Sequence, residues 1–154
     1  MNYFIDAVEF NFCLVDDDPI FAPTKSEPFA VGFDVRATKD LEINSNSFFK
    51  IGLGIKLMCP RDWWVQLCPR SSTFTKKNIH ALYGVIDPDY HDELSFCGHY
   101  LGEGKLLITR GEKIGQLIPY KLPKVEFKQI NEQEFIEEIN KRAPVRKGGF
   151  GSTG

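Results

Sequence analysis

Short runs of β-forming residues, each ended by glycine, proline, asparagine or aspartate, recur along most of this 154-residue chain. Runs of this length are typical of strands joined by tight turns. The runs are YFIDAVEF, FDVRA, SFFKIGLGIKLMC, WWVQLC, ALYGVI, LSFCGHYL, KLLIT and KIGQLIPYKL. The pattern predicts an all-β domain, built as an antiparallel sandwich or a jelly-roll barrel.

Only one segment shows helical spacing. In NEQEFIEEINKR the apolar residues Phe135, Ile136 and Ile139 recur at intervals that place them on one face of a helix. We therefore expect one short helix near the end of a single domain that spans residues 1–140.

Residues 141–154 contain Pro144 and several glycines, so we expect a mobile C-terminal arm. Its last seven residues, GGFGSTG, resemble a flexible linker except for Phe150, a large apolar ring that a linker would avoid.

Charge and composition exclude several classes of function. A formal net charge of -2 argues against nucleic-acid binding through phosphate neutralisation. No apolar run approaches the roughly 20 residues that span a bilayer, so we expect no membrane partner. MNYFIDAVEF lacks the features of a signal peptide, which predicts a cytoplasmic location, or the equivalent host compartment for a viral protein. Four widely spaced cysteines without a C-x-x-C pair favour reduced core thiols over disulfides or a zinc site.

Two motifs carry residues suited to phosphate chemistry. PRSS follows the strand WWVQLC, and its Arg70, Ser71 and Ser72 offer N–H and hydroxyl donors to phosphate oxygens. GVIDPDY brings Asp87 to the end of a buried strand, where a carboxylate can hold and deprotonate a water molecule. Taken alone, each motif is more often an ordinary turn.

Two further strands each carry one polar residue of interest. AVGFDVRA places Asp34 close to Gly32, where a backbone can approach a ligand. TRGEKIGQLI carries Gln116 among apolar residues. Either side chain alone could simply face water.

In their order along the chain, AVGFDVRA, PRSS, GVIDPDY, RGEKIGQLI and GGFGSTG resemble the five motifs of the trimeric deoxyuridine triphosphatase (dUTPase) family. The resemblance extends from about residue 29 to residue 154, and GVIDPDY and GGFGSTG are its specific members. It implies a distorted jelly-roll barrel and a homotrimer with active sites shared between subunits. It also implies hydrolysis of dUTP to dUMP and pyrophosphate with Mg²⁺.

The resemblance assigns a role to each motif. Asp87 is expected to be the general base that activates the attacking water, and Asp34 is expected to reach Mg²⁺ through water. Tyr90 is expected to pack under the deoxyribose. The substrate-binding residues outside the arm are then Arg70, Ser71, Ser72, Gly84, Tyr90 and Gln116.

For the arm, the resemblance implies closure over bound nucleotide. Phe150 is expected to stack on uracil, a contact worth about 1–3 kcal/mol. Gly149 and Gly151 let the backbone wrap the phosphates, to which Ser152 and Thr153 donate. Val145 stands where the family usually has arginine, so Arg146 is assigned to the γ-phosphate, with Arg142 also available.

Some positions depart from the family pattern. Ala81, Asp92 and Tyr100 replace residues common around the nucleoside pocket, so the strictness of uracil selectivity stays open. A dCTP deaminase of the same fold is disfavoured, because Cys97 stands where that enzyme needs glutamate. A regulatory role through a protein partner is left open, as is a cellular or viral origin.

Overall fold

The computed structural model of the chain describes residues 7–142. The strands are β1 (Asn11–Leu14), β2 (Phe33–Arg36), β3 (Leu41–Asn44), β4 (Ser47–Gly52), β5 (Ile55–Met58), β6 (Trp63–Pro69), β7 (Ile79–Ala81), β8 (Gly84–Ile86), β9 (Ser95–Tyr100), β10 (Lys105–Ile108) and β11 (Lys113–Lys121). The helices are α1 (Ser71–Thr75) and α2 (Glu132–Asn140), and a 3-10 turn spans Pro19–Phe21.

The named strands pair antiparallel in four sheets. A four-stranded sheet has the order β2-β11-β6-β8, and a three-stranded sheet has the order β4-β9-β7. Two smaller sheets pair β1 with β5 and β10 with β3. The predicted all-β class is therefore confirmed.

Alternation of buried and exposed side chains builds the core between these sheets. Along β9, Phe96, Gly98 and Tyr100 point inward, whereas Cys97 and His99 point outward. The same period of two recurs in β4 and β5, as expected for strands with one face toward a core and the other toward solvent.

The predicted strands match most of those observed, with four differences. SFFKIGLGIKLMC is split into β4 and β5, which belong to different sheets. The described part of YFIDAVEF, residues 7–10, is not a strand, and the first strand is β1, which pairs with β5. ALYGVI is split into β7 and β8, because β7 pairs with β9 in one sheet whereas β8 pairs with β6 in another. Strand β3 and helix α1 were not predicted.

Residues 7–123 and residues 124–142 belong to two separate compact units. The first contains all the strands. The second contains α2, which confirms the predicted helix; it begins after Asn131, whose side-chain oxygen accepts a hydrogen bond from the backbone N–H of Glu134 at 2.9 Å. The predicted domain boundary at residue 140 stays a prediction, and most of the predicted arm lies outside the described residues.

All four cysteines are free thiols. Cys59 and Cys68 are buried, and burial raises the pKa of both thiols. Cys97 is half-buried and Cys13 is exposed on β1, so the prediction of core thiols is wrong for Cys13. Within residues 7–142, no helix is long and apolar enough to cross a bilayer.

Gly98 lets three strands pack closely. A Cβ atom built at this position would lie 2.8 Å from Cγ2 of Ile79 on β7 and 3.0 Å from the ring of Phe49 on β4. Distances this short are repulsive, so β9 can hold only a glycine at its centre without displacing core side chains.

We expect Gly98→Ala to lower the free energy of unfolding by about 1–3 kcal/mol, the usual cost of overpacking a core. Chemical denaturation monitored by tryptophan fluorescence measures this change. Lys50→Ala, on the exposed face of neighbouring β4, is the control and should shift the stability by less than about 0.5 kcal/mol. Equal stability of both variants would show that the core side chains around position 98 can shift to accommodate the added methyl group.

Candidate active site

A buried carboxylate joins three polar side chains at one edge of the four-stranded sheet. Asp34 lies on β2, and its side chain is only 7% exposed. Arg70 Nε lies 3.0 Å from Oδ1 of Asp34, and Lys113 Nζ lies 2.8 Å from Oδ2. The hydroxyl of Ser26 also donates to Oδ2. We call these four residues the Asp34 cluster.

The Asp34 cluster keeps its carboxylate ionised. Burial alone would raise the pKa of Asp34, but hydrogen bonds from Lys113 and Ser26 and the positive charge of Arg70 outweigh burial and hold this pKa below its ordinary value. One negative and two positive side chains leave the cluster with a net positive charge. Such a cluster suits an anionic ligand such as phosphate.

Gln116 lies at the same sheet edge. It stands directly opposite Asp34 in the pairing of β11 with β2, and its Nε2 donates to the carbonyl oxygen of Pro69 at 3.1 Å. A Cβ atom at Gly32 would overlap the side-chain amide of Gln116. Glycine at position 32 therefore gives the Gln116 side chain the room to lie there.

The PRSS motif turns from β6 into α1 beside the Asp34 cluster. Arg70 is the residue that precedes the helix, and Ser71 and Ser72 form its first turn. The buried Thr73 fastens this turn, because its hydroxyl donates to the carbonyl oxygen of Ile114 on β11 at 3.0 Å. The ion pair with Asp34 uses Nε of Arg70, and the guanidinium carries further N–H groups that can serve a ligand.

A second group of predicted residues lies on and after β8. Gly84 begins the strand opposite Leu67 of β6. Asp87 follows the strand and is exposed to solvent. Tyr90 closes the turn, because its backbone N–H donates to the carbonyl oxygen of Asp87 at 3.1 Å. Its hydroxyl lies 3.4 Å from the carbonyl oxygen of Glu93.

One chain does not bring the two groups together. Ile86, the residue before Asp87, pairs with Val65 of β6, whereas Arg70 follows the opposite end of the same strand. Five residues of extended strand separate Val65 from Arg70, a distance of about 16 Å at roughly 3.3 Å per residue. A water held by Asp87 could not attack a phosphate held by Arg70 of the same chain.

The remaining predicted residues, which belong to the arm, lie outside the described residues: Arg146, Gly149, Phe150, Gly151, Ser152 and Thr153. Of the positions that depart from the family pattern, Ala81 and Tyr100 are buried. The Tyr100 hydroxyl donates to the carbonyl oxygen of Glu103 at 2.8 Å, so this side chain is part of the core packing of β9.

Sequence reasoning missed Lys113 and Ser26. Lys113 lies within RGEKIGQLI, where the resemblance assigns a role to Gln116 alone. Its role depends on strand pairing, since Lys113 stands opposite Arg36 and next to the Asp34 carboxylate only when β11 lies beside β2. Ser26 comes from an irregular segment, and no sequence signal identifies it.

The side chains available for a metal ion are few. Within residues 7–142, no group of three or more histidine, cysteine, aspartate or glutamate side chains is placed to hold one. Mg²⁺ retains several waters and is commonly bound by one or two carboxylates together with substrate phosphates. Asp34, whose two oxygens already accept from neighbouring side chains, fits a contact through water better than direct ligation.

A family model described as dUTPase matches residues 18–154. The chain belongs to the dUTPase family. The predicted family membership and the prediction of an enzyme are confirmed. Deoxyuridine 5'-triphosphate nucleotidohydrolase of Saccharomyces cerevisiae is 31% identical over 132 residues, which are 86% of this chain and 86% of the yeast protein. The protein of the same name from Debaryomyces hansenii is 30% identical over 132 residues, covering 86% and 79%.

Solved structures of dUTPases share the fold. Staphylococcus bacteriophage 80alpha dUTPase, in a mutant form with dUpNHpp, aligns with a TM-score of 0.80 at 19% identity, covering 96% of this chain and 99% of the phage protein. The dUTPase of phage phi11 of S. aureus, described with a structural Mg(II) ion, aligns with a TM-score of 0.74 at 17% identity, covering 81% and 98%. The predicted jelly-roll fold of the family is thus confirmed.

We expect Asp34→Asn to lower the free energy of unfolding at neutral pH by about 1–3 kcal/mol, because Arg70 and Lys113 lose a buried acceptor. Since the folded-state pKa of Asp34 is lowered, its stabilising contribution is fully present above the ordinary aspartate pKa of about 3.9 and is lost as pH falls through the folded value. The stability gap between wild type and variant should therefore narrow below about pH 4. Denaturation measured between pH 7 and pH 3 tests this.

Asp62→Asn is the matched control, because Asp62 pairs with Lys121 at an exposed position. Its substitution should change the stability little at any pH. A gap for Asp34→Asn that stays constant with pH would contradict the proposed electrostatic origin.

Proposed function

We propose that the protein is a dUTP diphosphatase that hydrolyses dUTP to dUMP and pyrophosphate. The observation that carries this proposal is the ion pair between Asp34 and Arg70, which joins two separate motifs of the family match into one cationic site. The names of the yeast relatives support the same substrate.

Arg70, Ser71, Ser72 and Gln116 bind the phosphate chain in this proposal. Asp34 positions Arg70, because its carboxylate accepts from Nε and so fixes the plane of the guanidinium. Lys113 adds positive charge from the other side of the same carboxylate. Phosphoryl chemistry needs mainly positioning and neutralisation of charge, both of which this arrangement offers.

Asp87 is the general base. It accepts a proton from the attacking water, which lies in line with the bond between the α-phosphorus and the departing pyrophosphate oxygen. Tyr90, fixed by its bond to the Asp87 carbonyl, packs against the deoxyribose, and Gly84 lies on the same side of the nucleoside pocket. Asp34 would contact Mg²⁺ through water, and the ion would supply neutralisation of phosphate charge.

The active site is shared between copies of the chain. Along β6, Arg70 lies about 16 Å from Val65, the partner of the residue before Asp87. This distance supports a shared site, because a nucleotide held by Arg70 must then meet Asp87 of another copy. A homotrimer with three such sites is the arrangement proposed. The arm residues Arg146, Phe150 and Ser152 complete the site in this proposal. A regulatory protein partner and a cytoplasmic location are also proposals.

Asp87→Asn should lower kcat for dUTP by about 10²–10⁴-fold, because an amide cannot accept the proton of the water. Pyrophosphate release from dUTP measures the rate, with thermal unfolding as a check that the fold is unchanged. The matched control is Asp89→Asn, an exposed aspartate in the same turn, which should retain activity. Activity above about a tenth of wild type in Asp87→Asn would rule out the assignment.

Mixing two inactive variants tests the shared site. When Asp87→Asn and Arg70→Ala chains are refolded together in equal amounts, half of the copies carry each intact residue. A site that combines two copies is then intact in about a quarter of cases, half of a half, so about a quarter of wild-type activity should return. Each variant refolded alone is the control. A mixture as inactive as its components would show that each chain completes its own site.

A further inference from the structure

Two of the three histidines of the chain face each other on the outward side of the three-stranded sheet. His80 of β7 is paired in register with His99 of β9. The neighbours of His80 along β7 are buried and His80 itself is exposed, while His99 is half-buried on the outward row of β9. Cross-strand partners project to the same side of a sheet, so both imidazoles leave the same face.

The hydrogen-bond pattern sets the spacing between these two residues. The backbone N–H of Leu82 donates to the carbonyl oxygen of Cys97 at 3.0 Å. The backbone N–H of Leu101 donates to the carbonyl oxygen of Asn78 at 2.8 Å. Bonded pairs alternate along an antiparallel ladder, which makes His80 and His99 the bonded pair between them. A bonded pair has the wider of the two cross-strand spacings, so their Cβ atoms are about 5.5 Å apart. A tetrahedral metal with metal–nitrogen bonds near 2.0 Å needs its two nitrogens about 3.3 Å apart, which imidazoles leaning together from that spacing can supply.

A second observation concerns the tautomer of His99. Its Nε2 lies 2.9 Å from the side-chain oxygen of Asn46. Because an amide oxygen only accepts, this contact is a hydrogen bond in the tautomer that carries its hydrogen on Nε2, and that tautomer leaves Nδ1 for a metal. Histidines that bind metals commonly donate their other ring N–H to such a polar partner, which orients the ring. Asn46 sits in the turn before β4 with a φ of 55°, a left-handed conformation that asparagine tolerates.

We propose that His80 and His99 form a two-histidine site for a divalent first-row transition metal ion of the zinc, copper or nickel type. Imidazole nitrogens favour these ions, whereas Mg²⁺ and Ca²⁺ favour oxygen ligands. With no three-residue ligand group within residues 7–142, water completes the coordination. This site is distinct from the Asp34 cluster and does not depend on the proposed function.

The bound metal links β7 to β9 through its two histidine ligands. Segment 82–94, which carries Asp87 and Tyr90, begins directly after β7 and ends directly before β9. A metal that bridges His80 and His99 therefore joins the two strands on which this segment is anchored. Occupation of the site therefore restrains that anchor.

Zinc is the probe for the test. The full chain is freed of metal and titrated with ZnCl₂ by calorimetry in a non-chelating buffer that contains excess Mg²⁺. We expect one Zn²⁺ per chain, with binding weakened at least tenfold by His80→Asn and by His99→Asn. Asn46→Gly, which retains the left-handed turn, should weaken binding about tenfold through loss of the oriented tautomer. His91→Asn is the matched control and should bind as wild type.

Cysteine variants separate this site from thiolate binding. Cys13→Ser and Cys97→Ser should leave the zinc affinity unchanged, although Cys97 lies two residues from His99 on the same face. Thermal unfolding without metal should be the same for all these variants, since the histidines are on the outer surface. In imidazole ¹H–¹⁵N spectra, zinc should shift Nδ1 of His99 while Nε2 stays protonated.

The assignment would be overturned if zinc affinity survived in both histidine variants. It would also be overturned if zinc affinity fell in Cys97→Ser as far as in the histidine variants. Ligation through Nε2 of His99 would overturn it too, because that geometry breaks the bond to Asn46.

Discussion

Strand β11 pairs on one side with β2 and on the other with β6, and the register of these two pairings determines the chemistry at the sheet edge. With this register, Gln116 stands opposite Asp34, and Lys113 and Arg70 reach the two oxygens of the same carboxylate. A shift of β11 by one residue would turn Lys113 and Gln116 to the opposite face. The apolar side chains of β11 that enter the core, such as Ile114 and Leu117, make such a shift costly, so the same packing that stabilises the sheet also aligns the site.

The buried carboxylate of Asp34 is stable only because it is surrounded by donors. A lone ionised carboxylate in this position would lose its hydration without compensation. Two cations and a hydroxyl supply that compensation and leave excess positive charge at the surface. The cluster is therefore both a structural link between β2, β6 and β11 and a place where phosphate is favoured.

The stiffness of the sheet keeps Asp87 and Arg70 of one chain apart. Asp87 and Arg70 follow opposite ends of the paired strands β8 and β6, and extended strands cannot shorten to bring them together. A second copy of the chain supplies the missing half in the proposed function. The histidine pair of β7 and β9 arises from the same rule of cross-strand pairing, applied to an outward face where no core residue competes.

The sequence alone determined the class of fold, most strands, helix α2 and the membership of the family, because these depend on local periodicity and on motifs that are contiguous in the chain. It also identified Asp34, Arg70, Gln116 and Asp87 as residues of interest, one motif at a time. Only the tertiary structure decided which of them meet, because contacts between distant segments depend on strand order and register, which no local pattern encodes. The ion pair of Arg70 with Asp34, the part of Lys113 in it and the separation of Asp87 from Arg70 are results of that pairing.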